Sequence, residues 1–174
     1  KTGGNEIDLL KKFPRVDRSK VTNRKRYDNT NDEDSNPLSN ILIERIIKEQ
    51  SSDFGWSYFD GSREEGYGGY NYDEKYWRGV AEDIIDYYNL KGGMSILEVG
   101  CAKGFLIYEL QNLIPKLNIF GLDISPYAIK NSHVLVRDKI TLGSITKIPF
   151  KKNTFDLVLA INTVSELNPS YVPK

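Results

Sequence analysis

The sequence predicts an α/β fold around a parallel sheet, and three features carry that expectation. A short apolar run, Ile96–Val99, meets a tight turn bounded by Gly100 and Gly104 and passes directly into a helical pattern at Phe105, Leu106, Ile107, Leu110 and Leu113. Strand-like stretches recur at Asn118–Asp123 and Lys139–Gly143, and the first of them ends in an acid. Leu157–Ile161 is apolar enough to be a parallel strand buried on both faces.

Taken from the N-terminus, residues 1–50 read as a polar arm followed by a short helix. Positions 1–30 are rich in Lys and Arg, and Asn29–Pro37 has the composition of a linker. Ile41, Leu42, Ile46 and Ile47 give the stretch Asn40–Lys48 one apolar face. Residues 51–76 are dense in Gly, Tyr, Phe and Trp, and read as a loop packed on the sheet edge or as a lid over a ligand site. Residues 77–174 hold the sheet. They open with a helix, Trp77–Tyr88, whose Trp77, Val80, Ala81, Ile84, Ile85 and Tyr88 share a face. After the second strand, Ser125 as N-cap and Pro126 at the first helical position start another helix.

The turn at residues 98–105 narrows the ligand chemistry. A dinucleotide-binding G-x-G-x-x-G would need glycine at position 105, where Phe105 would block close packing of helix on strand. The phosphate-cradling G-x-x-x-x-G-K-[ST] is also absent. Glu98 stands two residues before the first glycine, which favours a ligand bearing an ammonium over one bearing a phosphate. A carboxylate interrupting a buried strand needs a partner, because an unpaired one is costly. Asp123 lies near the spacing at which an acid receives ribose hydroxyls.

Glu98-Val-Gly100-Cys-Ala102-Lys-Gly104 resembles motif I of the class I S-adenosylmethionine (SAM) methyltransferases, [DE]-x-G-x-G-x-G, with Ala102 replacing the middle glycine. The order ILEVGCAKG, IFGLDIS, GSITKIPFKKNTFDLVLAIN is similar to motifs I–IV of that superfamily. The aromatic stretch from YFDG to GYGGYNY resembles a narrower group of bacterial small-molecule methyltransferases. The resemblance implies a Rossmann-like sheet of seven strands ordered 3-2-1-4-5-7-6. Strands 3-2-1-4 are present here and 5-7-6 are missing from this sequence, so the chain is expected to be C-terminally incomplete. Because the one Met is Met94, Lys1 is not expected to be a natural start.

That resemblance also assigns residues. SAM would be the cofactor and S-adenosylhomocysteine the product. Glu98 would reach the methionine ammonium, and the backbone of Gly100, Cys101, Ala102 and Gly104 would line the methionine and ribose. Asp123 would take the ribose hydroxyls, and Ile124 would pack on adenine. Ser144 and Ile145 occupy the place where many relatives put an Asp beside the adenine amine. Asn162 follows the fourth strand, and Tyr70 and Tyr72 belong to the lid, whose ring faces would attract a sulfonium. Ser165 and Glu166 replace a His-Asn pair of the narrower group, leaving Glu166 as the candidate general base.

Three residues invite other readings. With no His near it in sequence, Cys101 reads as a small buried filler rather than a nucleophile. Lys103 is expected to point outward from the turn, and His133 to be a packing or surface residue. With 24 basic and 24 acidic side chains in 174 residues, the chain has no overall bias toward nucleic acid or membrane. One cysteine, and no apolar run approaching ~20 residues, lead to the expectation of a cytoplasmic protein. The leading function is methyl transfer to a small polar acceptor, such as a sugar or metabolite O or N atom. The alternatives are an RNA or protein methyltransferase using the basic arm, or a SAM-binding module without turnover.

Overall fold

The computed structural model describes residues 52–163. The 1–50 arm, the expected helix at Asn40–Lys48, and Ser165 and Glu166 lie outside the described residues. Four strands, β1 (Ser95–Val99), β2 (Asn118–Asp123), β3 (Ile140–Leu142) and β4 (Leu157–Leu159), form one parallel sheet ordered β3-β2-β1-β4. Four helices accompany them: α1 (Trp56–Phe59), α2 (Glu74–Tyr88), α3 (Phe105–Leu113) and α4 (Pro126–Lys130).

Side-chain alternation along β1 assigns the two faces of the sheet. Ile96 points toward Val80, Ala81 and Ile84 of α2 and Leu106, Ile107 and Leu110 of α3, all in one core with Ile119, Ile140 and Leu159. Leu97, Val99 and Leu122 face the other way, where Ile145, Phe150 and Phe155 cover them. Leu97 and Ile107 are fully buried, as the apolar periodicity requires.

Two expectations need correction. The helix predicted from Trp77 begins three residues earlier, because the Asp73 side chain accepts from the Lys75 N–H at 3.1 Å and caps it there. The fourth strand is shorter than Leu157–Ile161 and is not buried on both faces: Val158 is 51% exposed. Its pairing with β1 extends over three residues only, and Val158 lies on the face that carries no α-helix among the described residues.

Ser125 and Pro126 start α4 as expected, and the Ser125 hydroxyl accepts from the Ala128 N–H at 2.9 Å. It also donates to the Phe54 carbonyl at 2.5 Å, tying the aromatic segment to the sheet. His133 stacks on Tyr108 at 3.8 Å between ring centroids, a packing role, and burial holds its pKa below the usual imidazole range.

Cys101 and Gly121 fit each other tightly. A Cβ on Gly121 would lie 2.6 Å from Cys101 Sγ and 2.7 Å from Ile107 Cδ1, so the thiol occupies the room that the glycine leaves. Gly121→Ala should therefore destabilise by about 1–3 kcal/mol through overpacking. In urea titrations, Gly121→Ala/Cys101→Ala should be more stable than the sum of the single losses, because the second change removes the clashing sulfur. Simple additivity would refute this account of Cys101 as filler.

Candidate cofactor site

Glu98 and Asp123 lie on the same sheet face, at the C-terminal ends of neighbouring strands. The register pairs Glu98 with Gly121 and Val99 with Leu122, which sets Asp123 one pleat beyond Glu98. Gly121 puts no side chain of its own between the carboxylates on that face, and Cys101 Sγ and Ile107 Cδ1 fill the room over it. Glu98 is 4% exposed and Asp123 7%. Among the described residues, no donor reaches the buried Glu98 Oε2. Burial, and then the neighbouring Asp123, push the Glu98 pKa up to about 8. Burial also raises Asp123, against the opposing pull of backbone N–H groups from Ser125, Ala102 and Ile124.

The turn after β1 is built on residues in the left-handed region: Gly100 at φ +69°, Ala102 at +50° and Gly104 at +72°. Ala102 is the one of these with a Cβ, and it stands where the motif I pattern has its middle glycine. Such a conformation costs an alanine roughly 1–2 kcal/mol. Asp123 holds it in place: Oδ2 accepts from the Ala102 N–H at 2.6 Å, while Oδ1 accepts from the Ser125 N–H at 2.8 Å. Each carboxylate oxygen keeps a further lone pair for a hydroxyl.

The bare faces of the two outer glycines serve the chain's own packing. A Cβ on Gly100 would meet Thr163 Oγ1 at 2.0 Å, and that hydroxyl donates to the Val99 carbonyl at 3.1 Å. A Cβ on Gly104 would meet Ile140 Cδ1 at 2.8 Å. Close approach of chain to chain, rather than of ligand to chain, thus excludes a side chain at both positions.

The predicted residues divide in space. Glu98, Gly100, Cys101, Ala102, Gly104 and Asp123 come together, and Tyr70 joins them. Tyr70 stacks on Phe105 at 5.0 Å, and its buried hydroxyl is raised well above the usual phenol range, by burial first and then by Tyr67, Glu98, Asp123 and Cys101. Tyr72 goes elsewhere. Its hydroxyl donates to Glu109, a carboxylate buried in α3 that also pairs with Arg78 at 3.2 Å, and its ring meets Tyr108 and His133. Ile124 is half-buried directly after Asp123. The Ser144 hydroxyl caps the turn Ile145–Lys147 through the Thr146 N–H at 3.2 Å. Ile145 packs on Leu97, Val99 and Leu122, the face opposite Glu98. Asn162 is exposed beyond β4, at φ +55°.

Lys103 contradicts the expectation that it points outward. It is 4% exposed, and its ammonium reaches Asp60 Oδ1 at 2.8 Å and Oδ2 at 2.7 Å. Asp60 also accepts from the Tyr127 hydroxyl at 2.7 Å and the Tyr70 N–H at 3.0 Å. Burial alone would raise the Asp60 carboxyl, but Lys103, Tyr127 and Tyr70 outweigh it and hold it below its ordinary value. Sequence reasoning missed Asp60, Lys103 and Thr163. The first two lie 43 residues apart, and no local periodicity joins them. Among the described residues, no group of three or more His, Cys, Asp or Glu could hold a metal, and no helix is long and apolar enough to cross a membrane.

Residues 90–173 match the family model described as "Methyltransferase domain". Over those residues the chain is similar to a methyltransferase domain. In fold, it resembles a Methanococcus maripaludis crystal structure described as an S-adenosyl-L-methionine-dependent methyltransferase. That likeness has a TM-score of 0.50 at 16% identity and covers 79% of this chain and 57% of that one. An uncharacterized methyltransferase of Schizosaccharomyces pombe is 35% identical over 75 residues, 36% of this chain and 27% of the relative. An uncharacterized protein of Methanocaldococcus jannaschii is 32% identical over 85 residues, 49% of this chain and 35% of the relative. The chain thus spans between a quarter and about a third of these curated relatives. The sheet order gives the chain a Rossmann-like fold of the class I methyltransferase type, with strands in the 3-2-1-4 arrangement.

Glu98 gives the fold a pH-dependent liability. With a pKa of about 8 folded and near 4.5 unfolded, the native state binds the extra proton between those values. Stability from this group is therefore full below pH ~4.5, falls as pH rises, and is lost above ~8. Glu98→Gln should flatten that slope and stabilise the ligand-free protein by a few kcal/mol, an order-of-magnitude figure, above pH ~8. Chemical denaturation of both proteins from pH 5 to 9 checks it; parallel profiles would overturn the burial argument.

Proposed function

We propose that this chain is the SAM-binding part of a SAM-dependent methyltransferase acting on a small polar acceptor. The observation that carries the reading is the buried Glu98 oxygen without a donor, beside Asp123 and the left-handed turn. Two carboxylates with depressed acidity disfavour a pyrophosphate, which repels both. They suit a ligand offering an ammonium at one end and sugar hydroxyls at the other. Glu98 binds the ammonium, and Asp123 receives ribose hydroxyls on the lone pairs that Ala102 and Ser125 leave. Cys101, Ala102 and the flanking glycines supply the backbone wall, and Ile124 supplies an apolar one. Ser144 and Asn162, which follow β3 and β4, are our candidates for the adenine end, whereas Ile145 packs on the opposite sheet face.

When bound, SAM supplies a methyl on a sulfonium and leaves as neutral S-adenosylhomocysteine. The chain's own work is to align donor and acceptor and to exclude water, worth up to ~7–11 kcal/mol where alignment is complete. A base is required only for an acceptor that must lose a proton, and Glu166 is the candidate. The acceptor reading rests on the resemblance of the aromatic segment to that of bacterial small-molecule methyltransferases and on the balanced overall charge.

The test is calorimetric. SAM should bind and displace the proton that Glu98 carries below pH ~8, so affinity should rise toward pH 8.5, by at most ~tenfold per pH unit, and then level. Titrations in buffers of different ionisation enthalpy should show proton release at pH 7, and Glu98→Gln should abolish it. A dinucleotide binding in place of SAM would overturn the reading.

A further inference from the structure

The aromatic segment is joined to the motif turn by a contact that the fold itself does not require. Asp60, at the end of α1, is grasped by Lys103 from the turn, by the Tyr127 hydroxyl from α4 and by the Tyr70 N–H from its own segment. Each group leaves little freedom to the others. The Lys103 side chain is 5% exposed and meets both carboxylate oxygens, so Asp60 has one placement. Its bond to the Tyr70 N–H then fixes the backbone from which the Tyr70 ring projects. That ring stacks on Phe105 and meets Tyr67 at a tilt, and its hydroxyl feels both Glu98 and Asp123. In the proposed binding mode those carboxylates hold the ammonium and the ribose. The sulfonium lies between these two groups in SAM, so it falls opposite Tyr70.

We propose that Asp60 is a positioning residue, locked by Lys103 and Tyr127, that holds the Tyr70 ring against the donor's sulfonium. The inference rests on the SAM reading above. It separates two tyrosines that the sequence offers as equivalents: Tyr70 faces the site, whereas Tyr72 is committed to Glu109. Lys103 acts through Asp60 and touches no ligand.

A neutral thioether tells positioning from simple support, because only the sulfonium gains from a ring face. SAM and S-adenosylhomocysteine should be titrated into the full chain and into Asp60→Asn, Asp60→Glu, Tyr70→Phe and Tyr70→Leu. Asp60→Asn and Tyr70→Leu should lower the SAM-to-product affinity ratio by about threefold to thirtyfold. Tyr70→Phe should keep the ratio, and Asp60→Glu should recover part of it. An unchanged ratio in Tyr70→Leu, or equal weakening of both ligands, would overturn the inference and leave the function standing. Absence of SAM binding by the unaltered chain would take down both. Should Asp60→Asn fail to fold, Tyr70→Leu carries the same test with the ion pair intact.

Discussion

Two acids buried on one sheet face set the terms for everything around them. Charged carboxylates in an apolar interior are expensive, and neighbouring ones more so. Asp123 meets that cost with the backbone N–H groups of Ala102, Ser125 and Ile124, whereas Glu98 Oε2 meets no donor among the described residues. The first carboxylate is therefore part of the scaffold as well as of the site. The second is an unsatisfied acceptor whose proton a cationic ligand would replace. That asymmetry follows from position: Asp123 ends its strand where backbone turns away and bares its N–H groups, while Glu98 sits inside a strand whose N–H groups belong to the sheet.

The turn between them depends on the same arrangement. Gly100, Ala102 and Gly104 adopt left-handed conformations in succession, and Ala102 does so against its own Cβ. Asp123 anchors Ala102, Thr163 fills the space over Gly100, and Ile140 fills the space over Gly104. Elements from the ends of β2, β3 and β4 thus converge on one short turn after β1. The motif is local in sequence, but the surroundings that make its conformation tenable are assembled from the whole described sheet.

This division explains what could be read beforehand. Strand positions, α4 with its Ser125–Pro126 start, and the Glu98 and Asp123 pair were legible because each rests on nearby residues or on fixed spacing. The N-terminus of α2 was misplaced because Asp73, a cap without an apolar periodicity of its own, decided it. Burial of β4 was overestimated from apolarity alone, since a run of Leu and Val does not say how many neighbours a strand will have. Lys103 was misjudged for a related reason: a lysine in a polar turn has no sequence mark of burial until its partner, Asp60, is folded beside it. Tyr70 and Tyr72, two residues apart, took different partners through tertiary contacts that local spacing does not encode, Tyr70 against Phe59 and Tyr67 and Tyr72 against Glu109 and Tyr108.

The Asp60–Lys103 pair also bears on how the aromatic segment holds its place. A buried ion pair adds little net stability compared with apolar side chains of similar volume, yet losing one partner costs ~3–5 kcal/mol. Aromatic packing around Phe59 could supply adhesion without it, since Tyr67, Tyr70 and Tyr127 all lie within 6.3 Å of that ring. Ring stacking, however, tolerates sliding and tilting, whereas two oxygens on one ammonium and a third donor on the backbone do not. The polar contact therefore contributes register where the rings contribute area. In a site whose donor must be aligned closely, register is the scarcer of the two, and the charge pair supplies it where the segment meets the motif turn.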